Sequence, residues 1–177
     1  MKSVRVIMEE QGAPEVMKFE TVELPPPGEG EVQIRQTAIG LNYMDVYQRS
    51  GYYPMEVPSP LGLEAAGEII SVGGGVANLS AGDRVVYGGV LGAYATHRNA
   101  PAARVLKIPD GISDEIAAAS LMKGMTVEYL LERTYKVKPG DKVLFFAASG
   151  GVGQIAGQWG KHLGAEMIGV TSGVENC

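Results

Sequence analysis

Lys142–Thr171, KVLFFAASGGVGQIAGQWGKHLGAEMIGVT, reads as strand, glycine turn, helix and strand in immediate succession. Lys142–Ala147 is a short apolar run carrying Val143, Phe145 and Phe146. It has the length of a buried parallel strand and is too short for a helix. Ala148-Ser149-Gly150-Gly151-Val152-Gly153 then breaks the run, with the spacing G-x-G-x-x-G and alanine in the first place. Gly150 removes the Cβ that would hold a phosphate off the backbone, and Gly153 lets the next helix pack close to the strand. Val152, Ile155, Ala156, Trp159 and Leu163 recur at helical spacing, and Gly164 suits the C′ position that stops a helix. Glu166–Thr171 returns as the second strand.

The free N–H groups of that helix's first turn, together with its dipole, form an anion site. A glycine triplet that follows a strand and opens a helix within one βαβ unit has the context of a dinucleotide-binding turn. The competing readings are a tight turn that binds nothing and the glycine turn of a methyltransferase. The cofactor-binding candidates here are Ser149, Gly150, Gly151, Val152 and Gly153.

The chain has 177 residues, 45% of them apolar and 20% charged, with a net charge of −5. That is enough for one domain and part of another. The mild acidity argues against electrostatic binding to nucleic acid or a membrane surface. No apolar run approaches the roughly 20 residues needed to cross a bilayer, and residues 1–20 lack the apolar core of a signal peptide. The single cysteine, Cys177, has no internal partner for a disulfide, which fits a reducing cytosol. One Cys and two His leave too few ligands for a Cys/His zinc site.

Upstream, strands are expected at Ser3–Met8, Phe19–Leu24, Glu31–Gly40, within Leu61–Val72 with a glycine bulge, and at Arg84–Tyr87, Ala93–Arg98 and Ala103–Ile108. Gln11-Gly12-Ala13-Pro14 is a turn, Pro25-Pro26-Pro27-Gly28 a stiff linker, and Asn42–Arg49 a short helix. Gly73-Gly74-Gly75 reads as a hairpin-type connection, because no helix start follows it. Many short strands punctuated by Gly and Pro point to a small β-barrel. Helices follow: one capped by Ser113 with Ile116–Leu121, a second at Thr126–Thr134. The division is placed near Lys123, with a β-rich domain over residues 1–123 and a βα-type domain over 124–177.

The order GLNYMDVYQRSGYYP, GLEAAGEI, AGDRVVY, GAYA, LMKGMTVEYLL and AASGGVGQIAGQWGKHLGA resembles the zinc-free quinone oxidoreductases, relatives of zeta-crystallin in the medium-chain dehydrogenase/reductase superfamily. The resemblance covers essentially the whole chain. It implies an α/β protein with a β-rich part: a GroES-like β-barrel catalytic domain followed by the first portion of a Rossmann nucleotide-binding domain. It implies NADPH as hydride donor, a quinone or electron-poor enone as acceptor, and a cytoplasmic homodimer when intact. Where the superfamily's alcohol dehydrogenases carry a zinc-binding Cys and His, this chain has Asn42 and Leu63. Leucine ligates nothing, and an amide is a poor substitute for a thiolate. Members of the family are nearly twice as long, and an open sheet of this kind has about six strands. The expectation is therefore a truncated chain, and the activity expected is that of the intact parent.

A quinone that accepts a hydride becomes an oxyanion, which hydrogen-bond donors stabilise. The catalytic candidates are Asn42, Tyr47 and Tyr53, with Asp45 capping or orienting their helical piece. By residue type alone they read as a turn-forming Asn and loop-packing tyrosines; the family match raises Asn42 and Tyr53 to the lining of the nicotinamide and quinone pocket. By the same resemblance Lys123, Thr126 and Tyr129 lie near the cofactor, against the plainer readings of a solvated lysine, an N-cap and helix packing. Enzymes that use NAD hold the ribose with an acid about 20 residues past the first glycine. Here Val170-Thr171-Ser172-Gly173 offers hydroxyls, so Thr171 and Ser172 suit a 2′-phosphate, with Glu175 as the competing signal. His97 and His162 receive no catalytic role. The alternatives are a nucleotide-binding, non-catalytic structural or RNA-associated protein of the zeta-crystallin type, and an inactive fragment.

Overall fold

A computed structural model describes residues 1–173; Glu175 and Cys177 lie outside the described residues. The chain divides into two compact units, Met1–Leu121 and Met122 onward.

The first unit is built on two sheets. β1 (Lys2–Met8) pairs along its whole length with β2 (Met17–Glu23), and β4 (Ser59–Pro60) adds to its other edge. The larger sheet is antiparallel, in the order β7-β3-β5-β6-β8, with β3 (Glu31–Gly40), β5 (Glu64–Val72), β6 (Arg84–Gly88), β7 (His97–Pro101) and β8 (Val105–Lys107). Its inner face buries Val32, Ile34, Ala65, Ile69, Val85, Tyr87, Ala100 and Val105. Backbone bonds join the two sheets: Val6 N–H donates to Tyr94 O at 2.8 Å, and Thr96 N–H to Val4 O at 2.8 Å. The expected GroES-like barrel is formed this way.

β3 and β5 slip register at Gln33/Ile34 and again at Gln36/Ala38. Gly67 stands opposite Gln36, and a Cβ there would run into the Arg35 carbonyl and lie 2.9 Å from Gln36 Cα. The glycine bulge is thus a close approach of two backbones.

Two expectations are corrected. The strand expected at Ala93–Arg98 runs instead over His97–Pro101. The N–H groups of Gly92 and Ala93 both bond Gly62 O, and Gly92 adopts φ +98, so residues 93–96 bridge two sheets rather than extend one ladder. The break expected between two helices at Lys123-Gly124 is absent. α2 (Asp114–Glu128) is continuous and passes into a π-helical turn at Tyr129–Thr134. One interior glycine costs a helix only about 1 kcal/mol, less than the burial of Ala117, Ala118 and Val127 along it. Thr126 is consequently no N-cap; its hydroxyl donates to Met122 O at 3.0 Å from mid-helix. Ser113 does cap α2, accepting the Ile116 N–H at 3.3 Å.

The second unit holds β9 (Lys142–Phe146) parallel to β10 (Glu166–Val170), with α3 (Gly151–His162) between them in sequence. Val127, Leu131, Val137 and Ala156 form its buried centre, against which Val143, Phe145, Ile155 and Trp159 pack. Gly160 lets α3 lie close to β10, where a Cβ would displace the flexible Met167 side chain. The alternate residues Leu144, Phe146, Ile168 and Val170 are exposed. No helix among the described residues is long and apolar enough to cross a membrane.

Asp114 ties α2 to the large sheet. Its carboxylate accepts from Thr37 Oγ1 at 2.5 Å and from Arg84 Nε at 3.0 Å. Burial pushes this carboxyl up, but the Thr37 hydroxyl and the Arg84 guanidinium outweigh it and hold it below the usual Asp range. A depressed carboxyl contributes stability above its unfolded value and loses it as pH falls through the lower folded value. Asp114→Asn should therefore lower the urea midpoint near neutral pH, and the gap from wild type should close on acidification below the ordinary Asp range.

Candidate functional site

The glycine turn begins with Ala147 at φ +54, a left-handed position that costs a residue with a Cβ about 1–2 kcal/mol. Gly150 then stands in extended conformation at the N-cap of α3. Gly153 is demanded by packing: its Cβ would lie 2.6 Å from Ala148 Cα and 2.5 Å from the Ala147 carbonyl oxygen. Gly151 is approached from a different direction: a Cβ there would lie 2.9 Å from Lys123 Cδ and Cε, a flexible stem that can swing aside. The alkyl stem of Lys123 therefore lies over the first residue of α3, which spacing alone did not reveal. Ser149 Oγ and Thr171 Oγ1, at the carboxyl ends of the two parallel strands, are 3.1 Å apart. Gln154 Nε2 donates to Ser149 O at 2.8 Å and steadies the turn. Ser172 is exposed just beyond Thr171, Val152 is half-buried within the first turn of α3, and Tyr129 is exposed where the π-helical turn begins.

Asn42 belongs to the first unit. It immediately precedes α1 (Tyr43–Ser50) and donates from Nδ2 to Glu64 Oε2 at 3.0 Å. Glu64, at the start of β5, is fully buried. Gly40 makes room for it, since a Cβ there would sit 2.6 Å from Glu64 Oε2. Asp45, 3% exposed, accepts the Asn42 N–H at 2.9 Å and the Tyr94 hydroxyl at 3.0 Å. Burial raises the Tyr94 hydroxyl pKa, and the Asp45 charge and hydrogen bond raise it further. Gly62, at φ +86, is required because any side chain would strike the Tyr94 ring. Tyr94 was not among the expected site residues; its only sequence trace was the GAYA segment.

The remaining expected residues gather close by. Tyr47 packs against Tyr53 with centroids 5.6 Å apart, against Tyr43 at 5.4 Å and against Tyr52 at 4.9 Å. The structure thus pairs Asn42 with Asp45 at the start of α1 and Tyr47 with Tyr53 in a separate aromatic group on α1 and the loop after it. Among the described residues no three His, Cys, Asp or Glu side chains converge as a metal site would require.

Residues 28–110 match the alcohol dehydrogenase GroES-like domain. The quinone oxidoreductase of Salmonella typhimurium is 49% identical over 99% of this chain and 54% of its own length. The crystal structure of Escherichia coli quinone oxidoreductase complexed with NADPH superposes with a TM-score of 0.95 at 47% identity, covering 98% of this chain and 54% of that one. The chain is similar in sequence and in fold to quinone oxidoreductases. It spans about half the length of these relatives. A 2-haloacrylate reductase from Burkholderia sp is also similar, 43% identical over 97% of the chain and 54% of its own length.

The Tyr94–Asp45 bond joins the segment at Gly92–Ala95 to the helix that presents Asn42. Removing the hydroxyl in Tyr94→Phe should cost about 1.5–3 kcal/mol, the range for a hydrogen bond to a charged acceptor. Chemical denaturation of the variant beside wild type measures it.

Proposed function

We propose that this chain supplies the acceptor-binding and dinucleotide-binding elements of an NADPH-dependent quinone reductase that works without zinc. The carrying observation is that Asn42, where the resemblance places a zinc enzyme's thiolate, donates instead to the buried Glu64. Leu63, beside Glu64, has no ligating atom. The 2-haloacrylate reductase among the relatives favours electron-poor enones as further acceptors.

The residues of the glycine turn fit a dinucleotide. Gly150 and Gly151 put no Cβ at the start of α3, and Thr171 and Ser172 offer hydroxyls where an NAD enzyme carries an acid, with Ser149 Oγ 3.1 Å from Thr171 Oγ1. Lys123 sets a cation's stem against Gly151, with Thr126 and Tyr129 farther along the same segment. NADPH supplies the hydride when bound. The protein's own part is to orient the acceptor and to stabilise charge on its oxygen. Asn42, Tyr47 and Tyr53 are the donors assigned to that oxygen; Asp45 holds the Asn42 backbone. A proton from solvent completes reduction of the quinone to the hydroquinone. The intact protein is assigned to the cytoplasm as a homodimer.

The intact protein should oxidise NADPH with 1,4-benzoquinone or 9,10-phenanthrenequinone, ignore simple alcohols and be indifferent to chelator. Asn42→Ala should lower kcat roughly a hundredfold, as loss of an oxyanion donor does, while NADPH affinity holds. Alcohol turnover that chelator abolishes would overturn the assignment. Sedimentation equilibrium checks the dimer.

A further inference from the structure

α1 has only 8 residues, and the carbonyls of a helix's last turn find no partner within the helix. A helix so short is marginal by itself. Whatever takes those carbonyls fixes where α1 ends and how the next loop leaves it. The donors come from the connection between β1 and β2, 37 residues upstream. Gln11 Nε2 donates to Gln48 O at 2.6 Å, and Gly12 N–H donates to Arg49 O at 2.7 Å. Arg49 Nη1 returns a bond to Gly12 O at 2.6 Å. A distant connection thus caps the carboxyl end of α1.

The same side chain holds the loop that follows. Gln11 Nε2 donates a second bond, to Tyr53 O at 2.8 Å, and Oε1 accepts the Met55 N–H at 3.3 Å. Both ends of one amide are committed, to backbone atoms before and after the left-handed turn at Gly51. A Cβ on Gly51 would lie 3.6 Å from Gln11 Cβ, so the turn itself lies beside this side chain. Tyr53 N–H closes the loop on Tyr47 O at 3.1 Å. Gln11 is half-buried, and these bonds go to backbone rather than to either tyrosine ring.

We propose that Gln11 is a positioning residue for acceptor reduction, acting through the Tyr53 hydroxyl. This rests on the reading that Tyr53 donates to the acceptor oxygen. A tyrosine hydroxyl stands at the end of a long rigid arm, so a small rotation of its backbone carries it out of line. Displacement of a reacting group by about 1 Å can cost a hundredfold in rate. Gln11 removes that freedom by bonding the Tyr53 carbonyl itself. Asn42, at the other end of α1, is held separately by Glu64 and Asp45. Loss of the Gln11 amide therefore loosens the carboxyl end of α1 and its loop, and spares the amino end.

The test is a pair of double-mutant cycles on the intact protein, read as kcat for NADPH oxidation with 1,4-benzoquinone. Gln11→Met keeps the length of the side chain and removes its hydrogen bonds. It should lower kcat roughly tenfold and leave the NADPH Kd unchanged. In a Tyr53→Phe background the same substitution should change kcat by less than about twofold, because the hydroxyl it positions is gone. In an Asn42→Ala background the full tenfold loss should persist. Gln11→Glu, which keeps the acceptor for Met55 N–H but turns a carboxylate toward two carbonyls, should match Gln11→Met and guards against a folding defect in the methionine variant. Asp114→Asn, which also lowers stability, should keep the wild-type kcat and shows what a merely structural loss does. A wild-type kcat in Gln11→Met, or a tenfold loss that survives Tyr53→Phe, overturns the role of Gln11 alone. A wild-type kcat in Tyr53→Phe overturns the reading that Tyr53 serves the acceptor, and the proposal with it.

Discussion

A carboxylate with no exposure to water, Glu64, sits at the start of a central strand, and its bond to Asn42 is the constraint around which the first unit is arranged. Burying an ionisable group without partners costs several kcal/mol, so the surroundings must supply donors and space. Gly40 supplies space, since any side chain there would overlap Glu64. Asn42 supplies a donor, and that places the amino end of α1 over β5. The second buried carboxylate, Asp45, repeats the device one turn on, taking the Asn42 N–H and the Tyr94 hydroxyl. A short helix that would be marginal alone is thereby held at its first turn by polar bonds inside the protein.

The second unit solves a different problem with the same economy of side chains. Close approach of α3 to β9 is possible only because Gly153 has no Cβ to meet Ala148. The turn between them takes a left-handed alanine, and Gln154 reaches back to hold it. What results is a helix start without Cβ atoms at Gly150 and Gly151, with the paired hydroxyls of Ser149 and Thr171 in the same turn region and the Lys123 stem over Gly151. The dipole of α3 favours negative charge at this end, which is the ground for the dinucleotide proposal.

Much of this was legible beforehand where local chemistry is decisive. The βαβ unit, the glycine bulge at Gly67, the Ser113 cap and the stop at Gly164 each depend on residues near in sequence. The failures fell where non-local packing won. Lys123-Gly124 has the composition of a helix boundary, but burial on both sides of it carries α2 straight through. Residues 93–96 alternate like a strand, but their hydrogen bonds go to two different sheets. Gln11 looked like an ordinary turn residue; that its amide bonds a loop some 40 residues away could not be inferred from any local pattern.

From the order of residues alone follow the two kinds of architecture and the dinucleotide-type turn, because each is a property of residue type at short spacing; that Asn42 and Leu63 stand where zinc enzymes carry ligands is what the family resemblance implies. Tertiary structure alone decided that Asn42 bonds Glu64, that Tyr94 steadies Asp45, that Lys123 covers Gly151 and that four tyrosines share one patch. Those pairings join distant segments through contacts of a few ångströms, and only the closed barrel and the packed helix bring such segments within reach.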